Sequence, residues 1–372
     1  MNKINLSSNI DKSKLIFSTN KKSEAKIENR INSFQLFWNR YFSKKINYLW
    51  LTLFVSFFLL IIILILISAI LKYSPDKPTL QSDLAINLPN YFSPIKSTKF
   101  SYDDPLLKLI IQQDLKDPNS NIIYNKSLIA DIVLLEYNPY ALIKSLSGKN
   151  YYFFFGTNAY KIDRFSFFVH SFGYSILISI IALIIQWLIG TYLGSVIGFY
   201  SQKTSCKIGY YVFNLLNIFP TLIVCLFLFS LAGYNHSSAI FILSVFGSVS
   251  FFYIAYANSI ELKNQSFIWT YKVDGASNQR ILHNIIFVEN LWLNLTLFAD
   301  SLSMNMLILA SISFFNVPRI NESLNIGNVF KDLINDLTNI NYTMFVTIIT
   351  SLYIIVFKLF SLSLYQASRV KE

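Results

Sequence analysis

The chain has 372 residues, 53% hydrophobic, 17% aromatic and only 14% charged, with a net charge of +11. A soluble domain usually carries about 25% charge, and the apolar residues here fall in long runs, which excludes a water-soluble globular fold. Residues 1–48 hold ten Lys/Arg against Asp11, Glu24 and Glu28, which fits a cytoplasmic tail under the positive-inside rule; a nucleic-acid surface would need a reading motif, and none is present.

Residues 1–47 read as that tail, with no signal peptide, because the first apolar run is too long for a signal core. That run, 48–71, is flanked by Lys44, Lys45 and Lys72. A crossing of a roughly 30 Å hydrocarbon core takes about 20 helical residues, so 48–72 is predicted as the first transmembrane helix. Residues 73–170 are polar and proline-rich and are predicted as an extracytoplasmic domain; their apolar stretches at 106–111 and 132–135 are too short to cross. Residues 171–365 are predicted as a five-helix core with spans at 171–200, 209–232, 237–257, 290–315 and 342–362, followed by a short cytoplasmic tail at 366–372. The expected fold is an all-α membrane protein of about six transmembrane helices. That count puts both termini on one side, together with the loops 201–208 and 258–289, whose Lys203, Lys207, Lys263, Lys272 and Arg280 favour the inside. No internal repeat is visible, which disfavours carriers built from inverted repeats.

Within the spans, Gly190, Gly194 and Gly198 recur every four residues and so share one helix face, a pattern for close helix packing, although glycine is also simply common in bilayer helices. Pro220 predicts a kink in the third span, with Asn214 a turn and a half before it. Asp300 stands alone in the middle of the fifth span. A carboxylate there must face a bundle interior or a water-filled path, and it serves equally well as a pathway-lining group or as a packing carboxylate bonded to neighbouring Asn or Ser. Lys358 in the last span is long enough to snorkel. The two cysteines, Cys206 and Cys225, cannot build a disulfide framework, and His170, His236 and His283 are scattered, so no metal site or cofactor is expected. There is no nucleotide-binding P-loop and no hydrolase or metalloprotease signature. The chain is not expected to be an enzyme.

The most informative segment is FIWTYKVDGASNQRIL at 267–282. It resembles the cytoplasmic coupling loop of ABC importer permeases. Gly275, Ala276 and Ser277 match the family's Gly-Ala-Ser after the first short helix, and Arg280 with Ile281 and Leu282 matches the start of the second. Trp269, Thr270 and Tyr271 stand where the family has Glu-Ala-Ala, and Val288 near its usual Pro. Further segments resemble the oligopeptide/dipeptide permeases, in the family's order: FGTN at 155–158 with Asp163 and Arg164, SVIGFY at 195–200, NLLNIFP at 214–220, and SISFF at 311–315 followed by IGNV at 326–329. Leu309 replaces a family Glu, and 73–170 is longer than the family's usual outer loop.

The resemblance implies a type I ABC importer permease fold with an extracytoplasmic insertion between helices 1 and 2. It implies a plasma-membrane heterodimer with a second related permease, driven by two cytoplasmic ABC ATPases and fed peptides by an extracytoplasmic substrate-binding protein. The ATPases would dock on Phe267, Tyr271, Asp274, Gly275, Ala276, Ser277 and Arg280, and the chain would move by alternating access. Related permeases also carry nickel and other small solutes, and an ion-coupled secondary transporter using Asp300 is the competing class.

Overall fold

The computed structural model describes residues 33–116, 121–129 and 132–368. The predicted tails therefore fall largely outside the described residues, at 1–32 and 369–372. Among the described residues, five helices are long and apolar enough to cross a membrane: α2 (Lys45–Leu71), α5 (Arg164–Phe199), α8 (His236–Lys263), α10 (Asn278–Phe315) and α12, which spans Ile340–Ser368. A bent pair, α6 (Thr204–Ile218) and α7 (Thr221–Ala232), raises the number to six if it counts as one span. A short helix, α1 (Ser33–Ser43), precedes α2. The corner between them is fixed by Asn47, whose side-chain amide donates to the Tyr41 carbonyl (2.9 Å) while the Tyr41 hydroxyl donates to the Asn47 carbonyl (3.2 Å).

The glycine stripe sets the closest helix pair. A Cβ at Gly190 would lie 2.3 Å from the Ser248 carbonyl oxygen, at Gly194 2.4 Å from that of Phe252, and at Gly198 2.6 Å from that of Tyr256. Each partner is also four residues from the next, so α5 and α8 run parallel in continuous backbone contact. Contacts across the other helices fix their directions. Ser195 meets Asn290 and Thr191 meets Asn294, which makes α10 antiparallel to α5. Phe54 stacks on Phe360 and Phe57 meets Tyr353, which makes α2 antiparallel to α12. The start of α2 and the ends of α5, α8 and α12 thus share one end of the bundle, here termed lower; the segment between α2 and α5 sits at the upper end.

That upper segment corrects the all-α expectation. It carries a three-stranded antiparallel sheet in the order β1-β3-β2, formed by β1 (Lys96–Ser101), β2 (Ile123–Ile129) and β3 (Ile132–Tyr137). Helices α3 (Pro105–Lys116) and α4 (Pro139–Ser147) complete it. The sheet has a core of its own in which Val133, Leu135 and Tyr137, alternating along β3, pack with Phe100, Leu107 and Ile110; the two apolar stretches too short to cross a membrane are part of this small α/β core. The unit is fastened to α5 through FGTN. Gly156 has φ +74°, and a Cβ there would lie 1.9 Å from the Leu88 carbonyl oxygen, so only glycine fits. The Thr157 hydroxyl accepts from the Leu88 amide at 3.0 Å, and the Arg164 amide donates to the Gly156 carbonyl at 3.1 Å.

Three predicted span boundaries move. Helix α5 begins at Arg164 rather than 171, capped by Asp163, whose carboxylate accepts from the Ser166 amide at 2.9 Å. The third span is not one kinked helix: α6 and α7 meet at 87°. Pro220 has no amide hydrogen to continue the helix and pushes Phe219 into extended backbone (φ −89°, ψ 136°). Pro220 is exposed on the break. Finally, α10 starts at Asn278, not 290, and runs through a π-turn at Leu282–Ile286.

Candidate functional site

The turn between α8 and α10 gathers the residues of the GAS motif at the lower end. Helix α8 ends at Lys263; a short helix, α9 (Ser266–Val273), follows, then a turn, then α10. The turn is a Schellman motif. The Ala276 amide donates to the Tyr271 carbonyl (2.9 Å) and the Gly275 amide to the Lys272 carbonyl (3.1 Å), with Gly275 in the left-handed region at φ +81°. Ser277 then caps α10, its hydroxyl accepting from the Arg280 amide at 3.3 Å. Underneath, Ile268 is fully buried against Phe199, Leu262, Ile281, Leu282 and Ile286. This small separate core holds the two short arms as one bracket.

The outward face of the bracket is apolar and aromatic. Phe267, Trp269, Tyr271 and Val273 are exposed, and the Lys272 ammonium lies 4.5 Å from the Trp269 ring centroid. Asp274, Gly275, Ser277 and Arg280 are exposed and Ala276 is half-buried. The seven residues singled out for docking therefore lie on α9, its turn and the first turn of α10. The segment that leaves the bundle is shorter than the predicted 258–289, because α8 and α10 occupy its two ends.

The other predicted positions are scattered. Asn214 is exposed on α6 and accepts from the Tyr253 hydroxyl at 3.2 Å. Asp300 is not a lone carboxylate: it accepts a charged hydrogen bond from Lys358 on α12, which pairs across the helices. Cys225 is buried and Cys206 half-buried, and no group of three His, Cys, Asp or Glu is placed to hold a metal among the described residues.

Two arrangements were missed by sequence reasoning. The first is a polar ladder inside the bundle. Asn290 donates to the hydroxyls of Ser195 (2.8 Å) and Ser259 (2.7 Å), and Asn294 to the Thr191 hydroxyl (2.7 Å) and the Phe251 carbonyl (3.1 Å). Gln186 donates to the Leu243 carbonyl (2.8 Å) and to Asn305 (3.0 Å). Each rung ties α5, α8 and α10 together, and hydrogen bonds buried in a protein are stronger than those in water. The spacing of Asn290 and Asn294, four apart in an apolar helix, was the available signal.

The second is a clamp at the upper end. Arg164 is buried, and its guanidinium donates to Asp332 (3.2 Å) and Asp336 (2.6 Å) while lying 5.6 Å from the Tyr342 ring centroid. Asp332 belongs to the short amphipathic helix α11 (Ile326–Asn335) and Asp336 is its C-cap. Burial pushes the Asp332 carboxyl above the usual carboxylate range, with Arg164 only partly offsetting it. Burial acts on Asp336 in the same direction, but the Thr338 hydroxyl and Arg164 outweigh it and hold that carboxyl below the usual range.

Residues 190–370 match the family of binding-protein-dependent transport system inner membrane components. That segment, just under half of the chain, is similar to ABC-importer permease domains. The match begins at the first glycine of the stripe and takes in the bent pair, the bracket, the clamp aspartates and α12. It leaves the α/β unit and α2 outside. No curated protein matches the chain. Permeases of this kind work with ATPase and substrate-binding partners in ABC importers and are not themselves catalytic enzymes.

Proposed function

We propose that this permease is a subunit of the oligopeptide/dipeptide type, forming half of a translocation pathway with a second related permease. Two cytoplasmic ATPases drive the pair and an extracytoplasmic receptor delivers peptides. The observation that carries this reading is the bracket. It is a short helix–turn–helix at the lower end with its own core, and it presents Phe267, Tyr271 and the Gly275 turn outward. A protruding arm that is internally rigid and joined directly to α8 and α10 transmits a push on its tip to two long helices. With Trp269, Thr270 and Tyr271 in place of Glu-Ala-Ala, the contact with the ATPase is apolar and aromatic in this chain.

Six crossings follow in this reading. Helices α5 and α8 run parallel, so the chain must return across the membrane between them, and the bent pair α6–α7 is the only segment available. Both termini and the bracket then lie in the cytoplasm, where Arg40, Lys44, Lys45, Lys203 and Lys263 satisfy the positive-inside rule, and the α/β unit faces the receptor. Purification through a C-terminal tag in mild detergent tests the reading. A second permease and nucleotide-binding ATPases recovered in stoichiometric amounts, with peptide-dependent uptake that requires ATP, are the expected result. The chain recovered alone, with uptake abolished by an ionophore, would overturn it in favour of an ion-coupled carrier.

A further inference from the structure

Asp300 and Lys358 sit well inside their helices, yet their side chains are 61% and 62% exposed on the bundle surface. Two bare charges against acyl chains are strongly disfavoured, so this face looks onto protein or water. Asp300 also borders a cavity of about 330 Å³ whose wall includes Gln186, Thr221, Ser250, Ser301 and Asn305. Gln186 is fully buried, and its amide nitrogen is committed to Leu243 and Asn305. Its Oε1 has no partner. The site is built around that amide: a Cβ on Gly247 would lie 2.2 Å from the Gln186 nitrogen, so the glycine opposite makes room for it. A buried acceptor left unpaired costs roughly 1–3 kcal/mol; this oxygen is sealed from solvent in the present conformation, so a donor in the cavity removes that cost only when the wall shifts.

The cavity thus offers a carboxylate and hydroxyls, with the Gln186 carbonyl oxygen sealed behind its wall, and its neighbouring cation is Lys358. We propose that it is a transit subsite for the protonated primary amine of a passenger, with Lys358 standing in for that ammonium in the arrangement seen here. An arriving ammonium donates to Asp300 and, once the cavity wall shifts, to Gln186 Oε1. It frees Lys358, which is then placed to accompany a carboxylate on the same passenger. A small zwitterion, such as the amino-terminal end of a short peptide, has this chemistry. The inference rests on the reading that the chain conducts a solute, and it adds which group of the solute is held and where.

Ser301, half-buried in the wall of the same cavity, is the reporter position. The assembled transporter carrying Ser301→Cys, with Cys206→Ser and Cys225→Ser to silence the native thiols, is treated with 2-aminoethyl methanethiosulfonate, a primary ammonium, and with its anionic sulfonatoethyl analogue. Rates are divided by those on a free small thiol. The cation is expected to react faster by about tenfold, equivalent to about 1.4 kcal/mol of selectivity. Asp300→Asn should erase most of that ratio, Gln186→Leu should lower it, and Lys358→Met should raise it. Equal corrected rates in the Ser301→Cys reporter protein, a ratio unmoved by Asp300→Asn, or a thiol that neither reagent reaches would each overturn the proposal. Charge-selective labelling in a chain that lacks ATPase partners would leave the subsite standing and remove the importer reading; partners present without selectivity would do the reverse.

Discussion

Arg164→Met is expected to cost about 3–4 kcal/mol of stability. The side chain is 2% exposed, and its two carboxylate partners are 12% and 22% exposed. Removing one partner of a buried ion pair costs about 3–5 kcal/mol because the remaining charge is stranded. The lower end applies here, since Asp336 keeps some contact with water, and the lost contact with Tyr342 adds roughly 0.5–1 kcal/mol. The two aspartates should behave differently. Asp332 has a raised folded-state pKa, so losing its charge relieves a burial cost, and Asp332→Asn is expected to cost under about 1 kcal/mol. Asp336 has a depressed one, so its contribution is present above the unfolded value of about 4 and is lost as pH falls through the folded value. Asp336→Asn removes a charge-assisted hydrogen bond worth about 1.5–3 kcal/mol. The triple variant Arg164→Met, Asp332→Asn, Asp336→Asn strands no charge and should recover most of the loss. Thermal unfolding in detergent, followed by tryptophan fluorescence, measures each difference against the parent. An Arg164→Met loss under about 1 kcal/mol, or a triple variant no more stable than the single one, would refute stranded charge as the source of the cost.

Gly275→Val meets no atom within 4 Å, so its cost is the left-handed backbone alone, about 1–2 kcal/mol. We expect insertion to be unchanged and ATP-driven uptake to fall; unchanged uptake would sink the docking assignment, and Gly275→Asn should be tolerated best. Gly194→Leu drives a side chain into the Phe252 carbonyl at 2.4 Å; overpacking of this kind costs 1–3 kcal/mol or more, and folded yield in mild detergent should drop sharply, whereas Gly173→Ala, whose Cβ meets only the Ile65 side chain at 3.7 Å, should scarcely change it. Asn290→Leu removes the donor from which the Ser195 and Ser259 hydroxyls accept and the acceptor of the Asn258 amide, at roughly 1–3 kcal/mol; the melting temperature reads the loss, and a neutral result would show that the ladder is replaceable by apolar packing.

How much of this was legible in the sequence follows the range of each interaction. Spans depend on a local sum over about 20 residues, so run length found them, and the glycine stripe is a four-residue rhythm on one helix. The α9 turn was legible because its geometry is also local: a Schellman turn needs its glycine at one position, and Gly275 stands there. The failures came where the partner lies far along the chain. Arg164 is separated from Asp332 by 168 residues and Asn290 from Ser195 by 95, and averaging over an apolar run hides a single Asn or Gln. The sheet was missed because β1 reads KSTKFS, without an apolar alternation of its own, and becomes a strand only when β3 pairs with it.

Asp300 and Pro220 were noticed and given the wrong physical circumstance for a common reason. A carboxylate in an apolar run is alone only until a cation on another helix reaches it, and Lys358 does so from 58 residues away. A proline in an apolar run is a kink only if the helix resumes in line. With the Phe219 backbone extended, it resumes at 87°, and the two short arms cannot each cross a core that needs about 20 helical residues. An elbow of that angle exposes Phe219, Ile223 and Phe227 together on the bundle surface. Thr221 and Cys225 of α7 form part of the wall of the cavity that Asp300 borders, so the elbow shapes that cavity. A straight third span would carry α7 along a different line and take that wall away, so the bend at Pro220 and the charges on α10 and α12 are two parts of one surface.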